Sequence, residues 1–472
     1  MSIFEEISQL LSKQEFEKAI SLAQMLQSQT DQLNALGIIF YYMQDFEKSY
    51  ENFLKVLELE TFHPAASYNL ARLVYQKADY KLAWRLSLRV QHKFAGVYEL
   101  AADAVKALGN LHMATYYYRK AIKYKAAENV FKKYNELINQ IRKSQNIVIF
   151  ADSKERYFSY QLSNVLSSIY NVEVVLPKSA DEVLNAFNKV NIVWFEGLNN
   201  ILAQVSNKLP KNDRKIIVRI YDIVEESLIN NINWYFIDEI IFSSEVVRRF
   251  YEKRYEELLS IKRITIEKCV DLSEIAPLKR SNKKIALICD MNYFGLLSLL
   301  EIARKLAEKD KFEFYLRLPE NPPVEIIQNI EIWLKKYNLH NTFFLSTAGE
   351  SFYDFFNNKD VSIFYNFSEE VSYFIILSMA MGLPTFVYES NEIISQRLPK
   401  DFLFSSLEEV VSKITSKSLD PVVFREYVED NYPLEREIES IVNLIEQIDE
   451  NDLFAEMILY TIGNTHLSNE VK

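Results

Sequence analysis

Short runs of β-branched and aromatic residues alternate with helix-length amphipathic stretches over most of the chain, beginning at residue 146. The strand-like runs are NIVIFA, VEVVLP, VNIVWF, KIIVRIY, EIIFS and RITIE, followed by KIALICD, FEFYLRLP, TFFLST, VSIFYN and TFVYE. Alternation of this kind is typical of parallel sheets that are covered by helices on both faces. Because the runs form two groups separated by a charged linker, we predict two α/β domains, over residues 146–275 and 280–450.

The residues before this point follow a repeat instead. The segments FEKAI, FEKSY, YKLAW and LHMAT begin at residues 16, 46, 80 and 111, and each has a small residue three positions after a large apolar one. This spacing resembles the period of about 34 residues of tetratricopeptide helical hairpins. We therefore predict a tetratricopeptide-like array over residues 1–143. Its aromatic stripes either pack between helices or line a groove for a partner protein.

Composition limits the classes of partner. The chain has 54 basic and 65 acidic side chains and a net charge of −11, which argues against nucleic acid or an anionic membrane as the main partner. Two cysteines make no disulfide framework, no apolar run reaches the roughly 20 residues of a membrane span, and the N-terminus is acidic. We expect a cytoplasmic protein without a metal site or an integral membrane segment. The last predicted region, residues 451–472, is a helix and tail.

The order of phrases after residue 146 is similar to that of retaining glycosyltransferases of GT-B architecture, the family-4-like group. The resemblance is carried by NIVWFEGLNNILA, KIIVRIYDIVEESLINNINWYFIDEIIFSSEVVRRFY, CVDLSEIAP and SFYDFFNNKDVSIFYNFSEEVSYFIILSMAMGLPTFVYES. It implies two Rossmann-like domains, the first on the acceptor side and the second for the nucleotide sugar. It also implies metal-independent hexosyl transfer with no cofactor, the nucleotide diphosphate sugar being a co-substrate.

The glutamate pair of that family, spaced Glu-x7-Glu, falls in the segment that follows the run VSIFYN. By resemblance, Glu370 is the catalytic carboxylate that holds donor-sugar hydroxyls, with Glu369 beside it. The second position, which holds the nucleotide ribose in the family, is Ser378 here. A serine still offers a hydrogen bond, but the charge-assisted bond of a carboxylate is about twice as strong.

The family also has basic residues that hold the donor diphosphate, one of them on the loop after the first strand of the second domain. Here that loop contains Asn292 and Tyr293, and no cation. Arg317, at the end of the next strand, is the candidate for a compensating charge, with an ordinary surface position as the alternative. The chain has only 8 glycines, so a phosphate site must be built from side chains and helix ends.

The acceptor side, by the same resemblance, has four candidate residues at strand ends of the first domain: Glu196, Arg219, Tyr221 and Asp222. Tyr221 takes the place of a family histidine, and a phenol can donate a hydrogen bond there but does not titrate near neutral pH. A salt bridge that caps the strand ends is an equally good interpretation of Glu196, Arg219 and Asp222.

Three functions follow from these patterns. The first is a glycosyltransferase whose acceptor is a glycan or a protein held by the repeats, of the surface-protein or flagellin type. The second is a degenerate glycosyltransferase-like scaffold that binds a partner with little or no catalysis, as Ser378 and the loop without a cation favour. The third is a pair of generic α/β domains for another nucleotide. The fold is the firmer inference, because one α/β fold serves many chemistries.

Overall fold

The computed structural model describes residues 3–90, 94–141, 145–151, 156–221, 224–277, 283–289, 293–318, 322–346, 351–365, 373–390, 392–416 and 420–446. By their contacts, the residues form two compact units. One unit combines Met1–Arg142 with Val270–Tyr432, and the other combines Lys143–Cys269 with Pro433–Lys472. The predicted tail, residues 451–472, lies outside the described residues.

The first unit begins with the predicted helical region. Its described helices are α1 (Ile3–Ser12), α2 (Phe16–Ala23), α3 (Gln29–Tyr42), α4 (Phe46–Leu59), α5 (Pro64–Gln76), α6 (Tyr80–Arg89), α7 (Ala95–Ala107), α8 (Leu111–Lys123) and α9 (Glu128–Ile141). Helices α2, α4, α6 and α8 begin where the sequence repeats begin, so the predicted helical hairpins are confirmed. We call α1–α9 the helical array.

The turn inside each hairpin repeats as well, and backbone geometry explains it. The residue two positions before α2, α4, α6 and α8 has a positive φ in every case, namely Gln14, Gln44, Ala78 and Gly109. At the starts of α4, α6 and α8, a cap side chain accepts a hydrogen bond from a backbone N–H in the first helical turn; the caps are Asp45, Asp79 and Asn110. Capping satisfies donors that a helix start leaves free, so the turn and the next helix are fixed together.

Small residues let the helices of the array approach closely. The small residue of each sequence repeat is wholly buried, at Ala19, Ser49, Ala83 and Ala114. The Ser49 hydroxyl donates a 2.8 Å hydrogen bond to the carbonyl oxygen of Gly37 on α3. A Cβ atom on Gly37 would lie 2.6 Å from Cε1 of Phe53, which leaves no room for a side chain.

The second unit contains a parallel sheet, which we call the first sheet because its strands come first in the chain. Its strands are β1 (Asn146–Ala151), β2 (Asn171–Val175), β3 (Ile192–Glu196), β4 (Lys215–Ile220), β5 (Glu239–Phe242) and β6 (Lys262–Thr265), in the order β2-β1-β3-β4-β5-β6. The intervening helices are α10 (Arg156–Leu166), α11 (Ala180–Phe187), α12 (Asn200–Lys208), α13 (Glu226–Asn230) and α14 (Glu245–Arg254). All six runs predicted for this region are strands.

The first unit contains the other parallel sheet, which we call the second sheet; its strand order is β9-β8-β7-β10-β11-β12, which is the reverse listing of β12-β11-β10-β7-β8-β9. Its strands are β7 (Lys284–Cys289), β8 (Glu313–Arg317), β9 (Phe343–Ser346), β10 (Val361–Tyr365), β11 (Thr385–Tyr388) and β12 (Leu403–Phe404). Its helices are α15 (Tyr293–Ala307), α16 (Val324–Lys336), α17 (Phe352–Asn357), α18 (Tyr373–Ala380), α19 (Glu392–Arg397), α20 (Leu407–Thr415) and α21 (Pro421–Asn431). The five predicted strands are confirmed, and the two-residue strand β12 was missed. The predicted fold class, a helical array with two Rossmann-like sheets, is therefore confirmed.

The chain passes from one unit to the other at residues 269–270 and returns at 432–433. The backbone N–H of Val270 donates a 3.0 Å hydrogen bond to the carbonyl oxygen of Tyr432, which ties the two passages together. The last described helix, α22 (Leu434–Glu446), belongs to the unit of the first sheet. No helix among the described residues is long and apolar enough to cross a membrane.

Ionic contacts explain why the helical array belongs to the same compact unit as the second sheet. Arg89 of α6 is buried and donates to both carboxylate oxygens of Glu429 on α21, at 3.0 and 2.7 Å. Burial alone would raise the pKa of Glu429, but Arg89 and Arg425 hold that pKa below its ordinary value. On α8, Tyr116 donates a 2.5 Å hydrogen bond to Asp271. The array is thus attached to the rest of its unit by buried polar contacts.

We predict that Gly37→Ala lowers the free energy of unfolding by roughly 1–3 kcal/mol, the usual cost of forcing extra atoms into a packed core. Urea denaturation followed by circular dichroism measures this change. The double variant Gly37→Ala/Phe53→Leu is the control, because the smaller side chain removes the clash and should recover part of the loss. Equal stability of wild type and Gly37→Ala would contradict the close packing of α3 and α4.

Candidate functional site

The order of the second sheet reverses between β7 and β10. The chain runs outwards from β7 through β8 and β9, and on the other side from β10 through β11 and β12. The last residues of the two central strands, Cys289 and Tyr365, are Cα partners in the parallel pairing. Ligands of open α/β sheets bind outside the carboxyl ends of the strands at such a point. This edge is therefore the candidate binding site.

Two helices begin soon after these strand ends in the chain: α15 at Tyr293 and α18 at Tyr373. Helix α15, of 15 residues, starts at Tyr293, and Phe294 in its first turn is 61% exposed. The N-terminus of a helix offers free N–H groups and the positive end of the helix dipole to an anion. The predicted residues Asn292, Glu369 and Glu370 also follow the two strand ends in the chain, but they lie outside the described residues.

Aromatic side chains occupy the last positions of three neighbouring strands. Tyr365 of β10 and Tyr388 of β11 stack with ring centroids 4.3 Å apart and planes 15° apart. Phe404, which ends β12, lies 5.9 and 5.7 Å from them, and the Phe294 ring lies 6.2 Å from Tyr365. Burial is the main cause that raises the pKa of Tyr365. We call these four residues the aromatic ledge; sequence reasoning missed it, because the runs VSIFYN and TFVYE have their tyrosine one position before the end and β12 was not predicted.

Ser378 does not have the position that the ribose-binding prediction requires. It lies within α18 and is wholly buried. Its hydroxyl donates a 2.9 Å hydrogen bond to the carbonyl oxygen of Ile375 and lies 3.0 Å from the hydroxyl of Thr385 on β11. Thr385 in turn accepts a 2.9 Å hydrogen bond from Ser362 on β10. This correction has a simple physical reason: the hydroxyl joins the helix to two strands and presents no surface to a ligand.

Arg317 ends β8, the strand next to β7, and so lies at the carboxyl edge of the sheet. The side chain is largely buried, and its guanidinium carbon lies 4.8 Å from the ring centroid of Phe352 and 5.6 Å from that of Phe355. Arginine over aromatic faces is held by cation–π attraction. The ordinary surface position that the sequence left open is thus not what the structure shows.

On the first sheet, Glu196 and Arg219 are buried and pair with each other instead of facing an acceptor. They are Cα partners at the ends of β3 and β4, with Arg219 Nη1 3.7 Å from Glu196 Oε1. Arg219 Nη2 donates a 2.7 Å hydrogen bond to Glu437 of α22. The other oxygen of Glu437 accepts a 2.7 Å hydrogen bond from the backbone N–H of Cys269. Of the two interpretations of the sequence, the strand-capping salt bridge is therefore the one observed.

Burial raises the pKa of Glu196, against the opposing effects of Arg219 and of the Trp194 indole. The indole Nε1 donates a 2.5 Å hydrogen bond to Glu196 Oε2, while Arg219 is closer to Glu437 than to Glu196. Two carboxylates thus share one guanidinium in the interior. Such a cluster fixes the ends of β3 and β4 and the position of α22.

The remaining acceptor-side candidates lie just beyond β4. The ammonium of Lys268 lies 3.7 Å from the ring centroid of Tyr221, and Asp222 lies outside the described residues. Gly197 has a φ of 88°, and a Cβ there would lie 3.5 Å from the Tyr221 ring. Tyr221 is partly exposed. Its phenol is thus held at the carboxyl edge of the first sheet by a cation and by the turn after β3.

Comparisons with known proteins give the class of fold. No family model and no curated protein matches the sequence. A solved glycosyltransferase from Rickettsia africae ESF-5 aligns with a TM-score of 0.50 and 13% identity, over 65% of this chain and 99% of that chain. Together with the two strand orders, this likeness shows that the chain has the GT-B fold of two Rossmann-like domains.

Two further solved structures are similar to this chain at lower scores. Anabaena Alr3699/HepE in complex with UDP aligns with a TM-score of 0.48 and 10% identity, over 64% of this chain and all (100%) of that chain. A mutant O-GlcNAc transferase from Thermobaculum terrenum aligns with a TM-score of 0.38 and 10% identity, over 88% of this chain and 93% of that chain. We draw the fold from the higher-scoring likeness alone.

We predict that Ser378→Glu, which restores the carboxylate of the family pattern, destabilises the protein. Placing an unpaired carboxylate in this buried position should lower the free energy of unfolding by on the order of 3–5 kcal/mol. Chemical denaturation measures the change, and Ser378→Ala is the control, with a loss of about 1 kcal/mol for the missing hydrogen bond. Unchanged stability with stronger binding of a nucleotide sugar would show instead that the side chain reaches the ligand.

We predict that Glu196→Gln changes how stability depends on pH. Because the pKa of Glu196 is raised above 4.5 in the folded protein, its contribution to stability is full below pH 4.5 and is lost as pH rises through the folded pKa. The stability of wild type relative to Glu196→Gln should therefore fall over that range. Urea denaturation at a series of pH values measures it, with exposed Glu325→Gln as the control; a flat difference would exclude the raised pKa.

Proposed function

We propose that this protein is a glycosyltransferase that transfers a hexose from a nucleotide diphosphate sugar to an acceptor. The observation that carries the proposal is the reversal of strand order between β7 and β10 in the second sheet. The adjacent strand ends Cys289 and Tyr365 continue in the chain into the two segments that contain the predicted donor-binding residues. Two independent arguments, one from topology and one from resemblance, thus indicate the same edge.

The roles at the donor site follow from this placement. Glu370, with Glu369 beside it, would hold hydroxyls of the donor sugar. Asn292, Tyr293 and the N-terminus of α15 would hold the diphosphate, because N–H groups at a helix start bind anions without a glycine-rich loop. Of the aromatic ledge, Tyr365 and Phe404 are buried, whereas Phe294 is exposed and Tyr388 partly exposed. Phe294 and Tyr388 are therefore our candidates for a nucleobase, since a base stacked on an aromatic side chain gains about 1–3 kcal/mol.

Arg317 offers a positive charge at the same edge, one strand from β7. Its guanidinium is stacked on aromatic rings, so the side chain is held in place before a ligand arrives. An oriented charge that needs no reorganisation stabilises developing negative charge better than a mobile one. Arg317 is therefore our candidate for the missing cation of the diphosphate site.

The proposed reaction retains configuration at the sugar and needs no metal or cofactor. The acceptor oxygen forms a bond to the anomeric carbon on the face from which the diphosphate oxygen departs, and the acceptor proton moves to that departing oxygen. Catalysis then depends on holding the diphosphate in position and stabilising its charge. One such contact is typically worth a factor of about 10²–10³ in rate.

For the acceptor we propose a protein held by the tetratricopeptide-like array, of the surface-protein or flagellin type, or a glycan. Tyr221 and Asp222, just after β4, remain the acceptor-side candidates. Glu196 and Arg219 are not among them, because both are buried in the ion cluster with Glu437. They hold the strand ends from which the acceptor side is built.

The second candidate function is a degenerate glycosyltransferase-like scaffold that binds a partner protein through the helical array. The buried hydroxyl of Ser378 favours it, because the position that holds the ribose in the family offers no polar group to a ligand here. A scaffold would still have the fold and the array. The two functions differ in whether the protein binds a nucleotide sugar.

We predict that calorimetry against UDP-, GDP- and ADP-sugars detects binding of at least one donor, and that Glu370→Gln weakens it about 10- to 100-fold. That range corresponds to the loss of a hydrogen bond to a charged group, about 1.5–3 kcal/mol. Glu325→Gln is the control, since Glu325 is an exposed carboxylate of the same unit, in the first turn of α16. Millimolar or weaker binding of every donor by wild type would overturn the proposal and favour the scaffold.

A further inference from the structure

Helix α18, which directly follows the predicted donor-binding segment, ends in a fixed backbone arrangement. Gly382 has a φ of 73°. The N–H of Gly382 donates a 2.8 Å hydrogen bond to the carbonyl oxygen of Met379, and the N–H of Leu383 donates a 3.1 Å hydrogen bond to the carbonyl oxygen of Ser378. These two bonds are those of a Schellman motif, in which a glycine in the left-handed region ends the helix. The motif leaves the carbonyl oxygen of Ala380, the last helical residue, to another donor.

That donor is Arg425 of α21, whose side chain is wholly buried. Its Nη1 donates hydrogen bonds to the carbonyl oxygens of Ala380 and, at 2.8 Å, of Ile275. A cation at the C-terminal end of a helix also interacts favourably with the helix dipole. Arg425 therefore holds the end of α18 both by hydrogen bonding and by charge.

The position of Arg425 is determined in turn by the helical array. Its Nε donates a 2.9 Å hydrogen bond to Glu429 Oε1, and the same carboxylate accepts two hydrogen bonds from Arg89 of α6. One connected series of side chains, which we call the ionic series, thus leads from the array to the end of α18: Arg89, Glu429 and Arg425. All of its members are nine-tenths or more buried.

A second contact of the array reaches the same place. Phe62, between α4 and α5, packs against Gly382 so closely that a Cβ there would lie 3.2 Å from Phe62 Cε2 and 3.3 Å from the Cβ of Pro277. The turn after α18 is therefore held by the array from two sides, through an aromatic ring and through the ionic series.

We propose that Arg425 is a positioning residue for the donor site, and that the helical array sets its position through Arg89 and Glu429. The inference rests on the proposed function, because residues 366–372 lead directly into α18. A helix of eight residues is a rigid rod of about 12 Å, so fixing its end also fixes the position of its first residue, which follows the proposed donor-binding segment in the chain. The array is then an integral part of the donor-binding unit in addition to any role with an acceptor.

The test compares variants of Arg89 in the full chain. Arg89→Met leaves Glu429 paired with Arg425 and removes both hydrogen bonds from the array to Glu429, so that only Arg85 of α6 remains near this carboxylate, at 3.9 Å. We expect about 10-fold weaker binding of whichever UDP-, GDP- or ADP-sugar the wild type binds, measured by calorimetry. We also expect faster hydrogen exchange of the amides of residues 373–383, because local opening of α18 becomes easier.

Two further variants separate positioning from a general loss of structure. Arg89→Lys keeps the charge but cannot make both hydrogen bonds, so it should lie between wild type and Arg89→Met in both measurements. It carries the test if Arg89→Met does not fold. Lys81→Met is the matched control, because Lys81 also joins α6 to α21, through an exposed 3.1 Å contact with Asp430 outside the series. It should leave donor binding and exchange in α18 unchanged.

The outcomes distinguish this inference from the proposed function. If the wild type binds no nucleotide sugar but Arg89→Met speeds exchange in α18, the proposed function fails and the coupling between array and helix remains. If the wild type binds a donor, and the Arg89 variants bind it equally with unchanged exchange, the inference is overturned. Equal weakening by Lys81→Met would also overturn it, because the effect would then belong to the whole contact surface.

Discussion

The burial of the Glu429 carboxylate is the constraint on which the architecture of the first unit depends. A buried carboxylate is tolerated only when opposite charges and hydrogen-bond donors surround it. Here one guanidinium comes from the helical array and the other from α21, the helix of Glu429 itself. The array and the second sheet therefore stabilise each other, which explains why they form one compact unit although more than a hundred residues of the other unit separate them in the chain.

Local patterns predicted most of the fold. The repeat at residues 16, 46, 80 and 111 marked four helix starts because each turn needs a left-handed residue and a large apolar residue at fixed positions. Eleven of the strands were recognisable because buried parallel strands are nearly continuous apolar runs. Strand β12 was not, since two residues, Leu403 and Phe404, are too few to show a period.

The sequence predicted the site less well, because its contacts join residues far apart in the chain. In the sequence, Glu196 and Arg219 fit an acceptor-side role as well as a salt bridge. The structure shows Arg219 between two carboxylates, those of Glu196 and of Glu437, which lies 218 residues beyond Arg219 in the chain. The pair Arg89–Glu429 spans 340 residues and leaves no local signal. For Ser378, the motif gave the position in the chain, but only tertiary packing shows that the hydroxyl is used within the fold.

The same packing bears on how a chain with 8 glycines could hold the diphosphate of the proposed donor. Glycine-rich loops bind phosphate by letting backbone N–H groups approach it, and the start of a helix supplies such groups without the loop. For a helix start to serve in this way, the helix must be held at a fixed place. The helix proposed for the diphosphate is α15; the neighbouring α18 is held at its end by Arg425 and Phe62, and the guanidinium of Arg317 is held on α17. In the proposed donor site, rigid helices and held side chains would thus do what glycine-rich loops do elsewhere.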